Sequence, residues 1–193
     1  MAVGKKGEQT KRKIFAIAMR LFKEKGYDNV TVDEIVKEAE IAKGTFYIYF
    51  PTKAHIVGEI FTEIDNDYKN SMKKIETLES SMEKVRSLLN DSIEIQKNYV
   101  GYDLTVIGYR AQLELHIDYS MDTERPLYKY VTELIREGQR RGEFNLEDTP
   151  EYYAKILIRS IRGAIYEWCL SYNNYDFIED GKKYIEKLLK ILK

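Results

Sequence analysis

A chain of 193 residues with 44% hydrophobic side chains holds enough apolar material for a sizeable core, which excludes global disorder. Three prolines, eleven glycines and few alternating β-branched runs favour an all-α fold, and no apolar run approaches the roughly 20 residues needed to cross a bilayer. A single cysteine, Cys169, excludes an internal disulfide framework and, with no apolar segment after the first lysines, leads us to expect a cytoplasmic protein with no membrane contact. The net charge of −1 argues, taken whole, against a nucleic-acid binder, but the charge is unevenly spread. Residues 1–53 hold 11 Lys+Arg and 7 Asp+Glu, a net of +4, while residues 54–193 hold 20 and 25, a net of −5. A positive head on a negative body is the footprint expected when only the head touches DNA.

Residues 1–9 are polar with two glycines and are expected to be a mobile tail, whose Lys5 and Lys6 either brush phosphates or stay solvated. A first helix follows from about Thr10 to Lys25, with Ile14, Phe15, Ala18, Leu21 and Phe22 as its buried stripe and Gly26 as its cap. The stretch from Thr31 to Lys53 then reads as two short helices around a tight turn, over about residues 30–50. Thr31 is an N-cap residue, and Glu34 three positions on completes a capping box. Ile35, Val36 and Ala39 keep helical apolar spacing. The second helix begins near Lys43 and ends before Pro51, which has no amide to donate. Glu40, Ile41 and Ala42 between them suit a helix-turn-helix corner. Phe46 and Phe50, four apart, pack back on the first helix with Ile41 in the corner. That leaves Lys43, Gly44, Thr45, Tyr47 and Tyr49 around the remaining surface, a set that suits phosphates and base edges in a major groove. Lys53 opens the next helix, where a cation can hold another phosphate. An ordinary helical hairpin with tyrosines outside is the competing reading of spacing alone.

The run KGTFYIYFPTK resembles the signature of the tetracycline-repressor (TetR) family of bacterial transcription regulators, and IFAIAMRLFKEKGYDNVTV before it resembles that family's first helix and exit. About the first 55 residues carry the resemblance. Two positions depart from the family pattern. Glutamate stands at Glu40 where glycine is usual in a turn that often needs φ > 0, and Ala42 replaces the usual N-cap hydroxyl. The resemblance implies a dimer on double-stranded DNA at a palindromic operator, released by a small-molecule effector. It places Thr31, Ala42, Lys43, Gly44, Thr45, Tyr47, Tyr49 and Lys53 at the DNA.

Beyond the head, a long helix from about Ala54 to Ile75 carries Ile56, Val57, Ile60, Phe61, Ile64, Tyr68 and Met72 on one stripe. In the resembled family this helix transmits ligand binding to the heads; a rigid connector is the alternative. A helix from about Ser81 to Tyr99 mixes Ser92, Gln96 and Tyr99 into an apolar face, and such polar groups either find partners or line a cavity. In the segment from Asp103 to Ile117, Tyr102, Tyr109 and His116 recur every seven residues beside Val106 and Leu113, which suits a pocket wall or a satisfied interface. Tyr68, Gln96, Tyr102, Tyr109, His116 and Trp168 are the pocket candidates. Pro126 begins a helix through Leu127, Val131, Leu134, Ile135 and Gly138, closed by Gly142. Thr149-Pro150-Glu151 starts another, running to about Tyr172 and apolar on more than one face. With the last helix, from about Phe177 to Leu192, it suggests a homodimer by four-helix packing through Ile158, Ile161, Ile165, Tyr172, Ile185, Leu188, Leu189 and Leu192, against the alternative of two monomer core helices.

Marks of catalysis are few. His55 and His116 stand far apart, neither in a metal-ligand spacing, and there is no phosphate-cradling glycine loop or nucleophile elbow. No enzyme activity, metal or cofactor is expected. The expected architecture is all-α with about nine helices: a three-helix DNA-binding head over residues 1–53, then a helical ligand-binding and dimerisation body over residues 54–193. Two rivals stay open, a DNA-binding dimer without ligand response and a helical small-molecule-binding protein or enzyme that keeps the head as a relic.

Overall fold

The computed structural model describes residues 5–114, 116 and 119–193, and among these residues it holds nine α-helices and no strand. They are α1 (Lys5–Lys25), α2 (Val32–Glu38), α3 (Lys43–Tyr49), α4 (Lys53–Ile75), α5 (Ser81–Glu94), α6 (Tyr102–Glu114), α7 (Pro126–Arg140), α8 (Pro150–Leu170) and α9 (Phe177–Leu188). The all-α expectation holds. Helix starts follow local chemistry: the Thr31 hydroxyl accepts from the Glu34 amide, Thr149 from Tyr152, and Asp176 from Ile178 and Glu179. Pro126 and Pro150 sit at the start of α7 and α8, where a missing amide costs nothing. Gly26 and Gly142 leave α1 and α7 at φ +81° and +71°.

The expected capping box is present, the Thr31 hydroxyl accepting from the Glu34 amide and the Glu34 carboxylate accepting from the Thr31 backbone amide while also pairing with Lys25 of α1. Three sequence expectations need correction. Lys5–Gln9 is helix and not tail, and the Thr10 hydroxyl bonds back to the Lys6 carbonyl at 3.0 Å inside α1; residues 1–4 lie outside the described residues. The helix after Ser81 does not run evenly to Tyr99. It widens into a π turn over Ile95–Val100 and ends at Gly101 with φ +85°, a change of register that leaves Tyr99 exposed while Ser92 stays buried. Finally, α6 stops at Glu114. His116 has φ +52° and is exposed, Leu113 is exposed, and Ile117 lies outside the described residues. The buried face of α6 is Leu104, Thr105, Gly108 and Ala111, not the heptad row of Tyr102, Tyr109 and His116.

The chain packs as two compact units, Met1–Phe61 with Val106–Tyr119 and Thr62–Thr105 with Ser120–Lys193. The first buries Ile14, Leu21, Phe22, Ile35, Phe46, Phe50 and Ile56. Within it Tyr119 stacks on Phe61, ring centroids 5.1 Å apart. In the second unit α5 lies against α7 and α9, and α7 against α8. Its centre is Trp168, fully buried and stacked on Phe177 at 4.6 Å, with its indole N–H donating to Asn173 Oδ1 at 3.1 Å. Tyr102 meets that indole edge-on and donates its hydroxyl to the Cys169 carbonyl at 2.8 Å. Gly138 allows the closest approach in the unit: a Cβ there would lie 2.2 Å from the Phe144 ring.

The N-terminus of α5 is anchored from a distance in sequence by Glu143, whose carboxylate accepts from the Ser81 amide at 2.7 Å and the Ser80 hydroxyl at 3.1 Å, beside Arg141 at 2.9 Å. Partial burial pushes this carboxyl up, but the bonds from Ser80, Met82 and Ser81 and the Arg141 charge outweigh it and hold the pKa below 4.5. A depressed carboxylate stabilises the fold fully above the unfolded pKa, and that contribution is lost as pH falls through the folded one. Glu143→Gln is therefore expected to cost about 1 kcal/mol at pH 7, discounted for solvent contact, with the deficit shrinking as pH falls through the lowered pKa of the folded carboxyl. Denaturant midpoints of both proteins over a falling pH series check this, and a deficit independent of pH would contradict it.

Candidate nucleic-acid interface

The corner between α2 and α3 is set by backbone conformation and two phenylalanines. Glu40 takes φ +54°, the left-handed conformation for which glycine is the easy residue, and the chain reverses there with the Ile41 amide bonded to the Val36 carbonyl at 3.1 Å. Ala42 is the N-cap of α3 and supplies no side-chain bond, so the missing hydroxyl noted in the sequence is a real gap in the capping. Phe46 and Phe50 are buried, their rings 5.9 Å apart, and Ile41 is half-buried beside the turn.

Burying that face turns the other outward. Lys43 and Gly44 are exposed, Tyr47 is about half-exposed, and Thr45 and Tyr49 are half-buried. A Cβ at Gly44 would meet nothing within 4 Å, so its outward backbone is open to close approach. Lys43 pairs with Asp33 of α2 at 2.7 Å, and this bond pushes its pKa up and keeps it cationic. Thr31 is exposed but its hydroxyl is engaged in capping α2. One residue passed over in the sequence stands out: Ile48 is 77% exposed. Its signal was present, since a residue two from both Phe46 and Phe50 must point away from the face they bury.

Lys53 is placed differently from expectation. Its ammonium donates to the carbonyls of Tyr27 and Val30 at 2.7 and 2.8 Å and lies 4.1 Å from the centre of the Tyr27 ring. Burial pushes its pKa down. The side chain thus ties the α1–α2 connection to the start of α4, and an ammonium has one further N–H for a phosphate.

The remaining candidates divide. Tyr68 is buried on α4, bonded to Ser92, and its hydroxyl is pushed up by burial. Gln96 donates to the Thr105 hydroxyl at 2.5 Å, and Tyr102 and Trp168 belong to the packed aromatic cluster. Tyr109 and His116 fall in the other unit. None of them lines the half-open groove of about 760 Å³ between the starts of α7 and α8, bounded by Tyr128, Lys129, Thr132, Tyr152 and Lys155. Of the expected dimer residues, Ile158, Ile161, Ile165, Ile185, Leu189 and Leu192 are buried within the single chain, because α5, α7 and α9 cover that side of α8. Leu188 is half-buried and Tyr172 is exposed. Among the described residues no three His, Cys, Asp or Glu side chains gather as metal ligands, and burial pushes the Cys169 thiol up to about 11.

Residues 14–60, which span α1 through the start of α4, match the family described as bacterial regulatory proteins, tetR family. The chain belongs to the tetR family. It is a DNA-binding transcriptional regulator, and the match covers the corner just described. The chain is 27% identical over 165 residues to the uncharacterized HTH-type transcriptional regulator YhgD of Bacillus subtilis (strain 168), covering 82% of this chain and 83% of that protein. Its fold is similar to that of a TetR-family transcriptional regulator from Pectobacterium atrosepticum, with a TM-score of 0.79, 20% identity and coverage of 99% and 97% of the two chains. A third similar structure is Thermus thermophilus FadR, a TetR-family transcriptional repressor in complex with lauroyl-CoA, with a TM-score of 0.77, 20% identity and 95% of each chain covered.

For this TetR-family chain the Lys53 geometry carries a stability consequence. Lys53→Ala strips two carbonyls of an ionic donor, and a loss of about 1–2 kcal/mol is expected. Thermal unfolding without DNA measures it; an unchanged Tm would mean the ammonium does not hold the α1–α2 connection.

Proposed function

We propose that the chain is a cytoplasmic homodimeric repressor, and no enzyme, that holds a palindromic operator through residues 1–53 and is released by a small molecule bound in residues 54–193. The observation that carries the DNA half is the outward face of α3. Lys43, Gly44, Thr45 and Ile48 approach base edges, Ile48 as an apolar contact for a thymine methyl. Thr31, Ala42, Tyr47, Tyr49 and the remaining N–H of Lys53 position the backbone phosphates. On binding, Lys43 exchanges Asp33 for the nucleic acid, an exposed pair that is cheap to break.

For the effector half, support comes from the body's buried polar groups and from the likeness to a repressor crystallised with lauroyl-CoA. Tyr68, Ser71, Ser92 and Thr105 are all buried in the second unit, which suits a ligand with a large apolar part and a few hydrogen-bonding atoms. Tyr68 stands on α4, the helix that follows the reading corner directly, so a ligand displacing it acts on the element leading to the head. Reciprocity then requires operator DNA to weaken ligand binding by the same factor.

Operator selection from a randomised duplex pool tests the reading, and an inverted repeat is the expected product. On that operator, Ile48→Ala is expected to relax preference at one base pair of each half-site by about 1 kcal/mol while leaving the salt dependence unchanged. Lys43→Ala should instead flatten the salt slope. No enriched sequence, or an Ile48→Ala protein with unaltered preference, would remove α3 from the role of reader.

A further inference from the structure

An acid stands where the reading face of the head would be expected to hold only donors. Asp33 lies in the first turn of α2, and its carboxylate meets the first residue of α3, with Lys43 Nζ 2.7 Å from Oδ1. Its side chain is 72% exposed. Other acids of the head are held on its far partner: Glu24, Glu34, Glu38 and Glu40 pair with Arg20, Lys25 and Lys13, all on α1. Among the described residues, Asp33 is the acid paired to α3.

A carboxylate on a DNA-facing surface is unfavourable unless something in the groove answers it. Duplex DNA carries one negative charge per about 1.7 Å of helix axis. Once Lys43 turns to the nucleic acid, Asp33 keeps its charge and loses its partner. An ionised carboxylate only accepts hydrogen bonds, so neither a phosphate nor a purine N7 can satisfy it. The donors of the major groove are the exocyclic amines, N4 of cytosine and N6 of adenine.

The spacing of the pair narrows the choice. Lys43 and Asp33 present a donor and an acceptor 2.7 Å apart. A G·C pair presents guanine O6 and cytosine N4 side by side across the strands, joined by a hydrogen bond of about 2.9 Å. With the ammonium on guanine O6 and N7, the carboxylate falls at the amine of the opposing cytosine. A T·A pair keeps this order of acceptor and amine, but sets the thymine methyl at the ammonium and adenine N7 at the carboxylate. C·G and A·T reverse the order.

We propose that Asp33 is a specificity-determining residue of the head, which with Lys43 recognises one G·C pair in each half-site by accepting from the cytosine N4 amine. Where no amine stands there, the carboxylate faces the duplex unpaired and binding weakens, so the same residue disfavours non-specific DNA. This inference rests on α3 as the reader proposed above.

The test repeats operator selection with Asp33→Ala and Lys43→Ala in the full chain, with thermal unfolding to show that each variant folds. Both are expected to relax preference at the same base pair, a G·C pair in the operator of the unmodified chain. Replacing its cytosine by 2-pyrimidinone, which lacks the amine, should weaken the unmodified chain about tenfold and Asp33→Ala less than about twofold. Affinity of Asp33→Ala for random duplex should rise. Unaltered selection by Asp33→Ala, or relaxation at a different base pair from Lys43→Ala, would overturn the proposal while leaving α3 as reader. An unmodified chain indifferent to the missing amine would overturn it without recourse to any variant. No enriched sequence from the unmodified chain would instead defeat the reading of α3 on which the proposal stands.

Discussion

The burial of Phe46 and Phe50 is the constraint from which the rest of the head follows. Two aromatic side chains four residues apart fix the rotation of a seven-residue helix that is too short to be stable alone. With that rotation fixed, Lys43, Gly44, Tyr47 and Ile48 have only the outside to occupy. The corner holding α3 at its angle to α2 is less favourable locally. It runs through a non-glycine residue at φ +54° and starts α3 without a cap hydroxyl. Packing therefore stabilises a geometry that local propensity does not favour, and exposed pairs such as Arg20 with Glu38 and Lys25 with Glu34 add their small share between α1 and α2.

Much of this was legible in the chain because capping and turn chemistry are local. Thr31, Thr149-Pro150 and Pro126 announce helix starts within a few residues, and Gly26 and Gly142 mark ends, so the element order follows from punctuation and period alone. The departures at Glu40 and Ala42 also kept their meaning: the positive φ was retained and the cap was lost. What could not be read locally was a change of register. A π turn at Ile95–Val100 adds no unusual residue before Gly101, yet it moves Tyr99 off the face that Ser92 occupies. The first helix, expected from about Thr10, begins five residues earlier, and the Thr10 hydroxyl bonds back within it.

The body resisted for a second reason. Periodicity says that a face is apolar but not what covers it, so Ile158, Ile161 and Ile165 read equally well as a partner's contact or as core, and they are core. Tyrosine adds to the ambiguity, since it serves in both places. Tyr68 is buried and Tyr172 almost fully exposed, though both stand in helical patterns of similar composition. Lys53 shows the converse. Its charge suggested a phosphate contact, and only the fold brings the Tyr27 and Val30 carbonyls to its ammonium from more than 20 residues away.

The central claim is that two copies of this corner read one duplex. Hydroxyl-radical footprinting of the full chain on its selected operator tests it most directly. Two equivalent protected patches are predicted on one face of the DNA, their centres separated by about one helical turn or a multiple of it. A single patch, or protection spread evenly along the duplex with no centre of symmetry, would contradict the account.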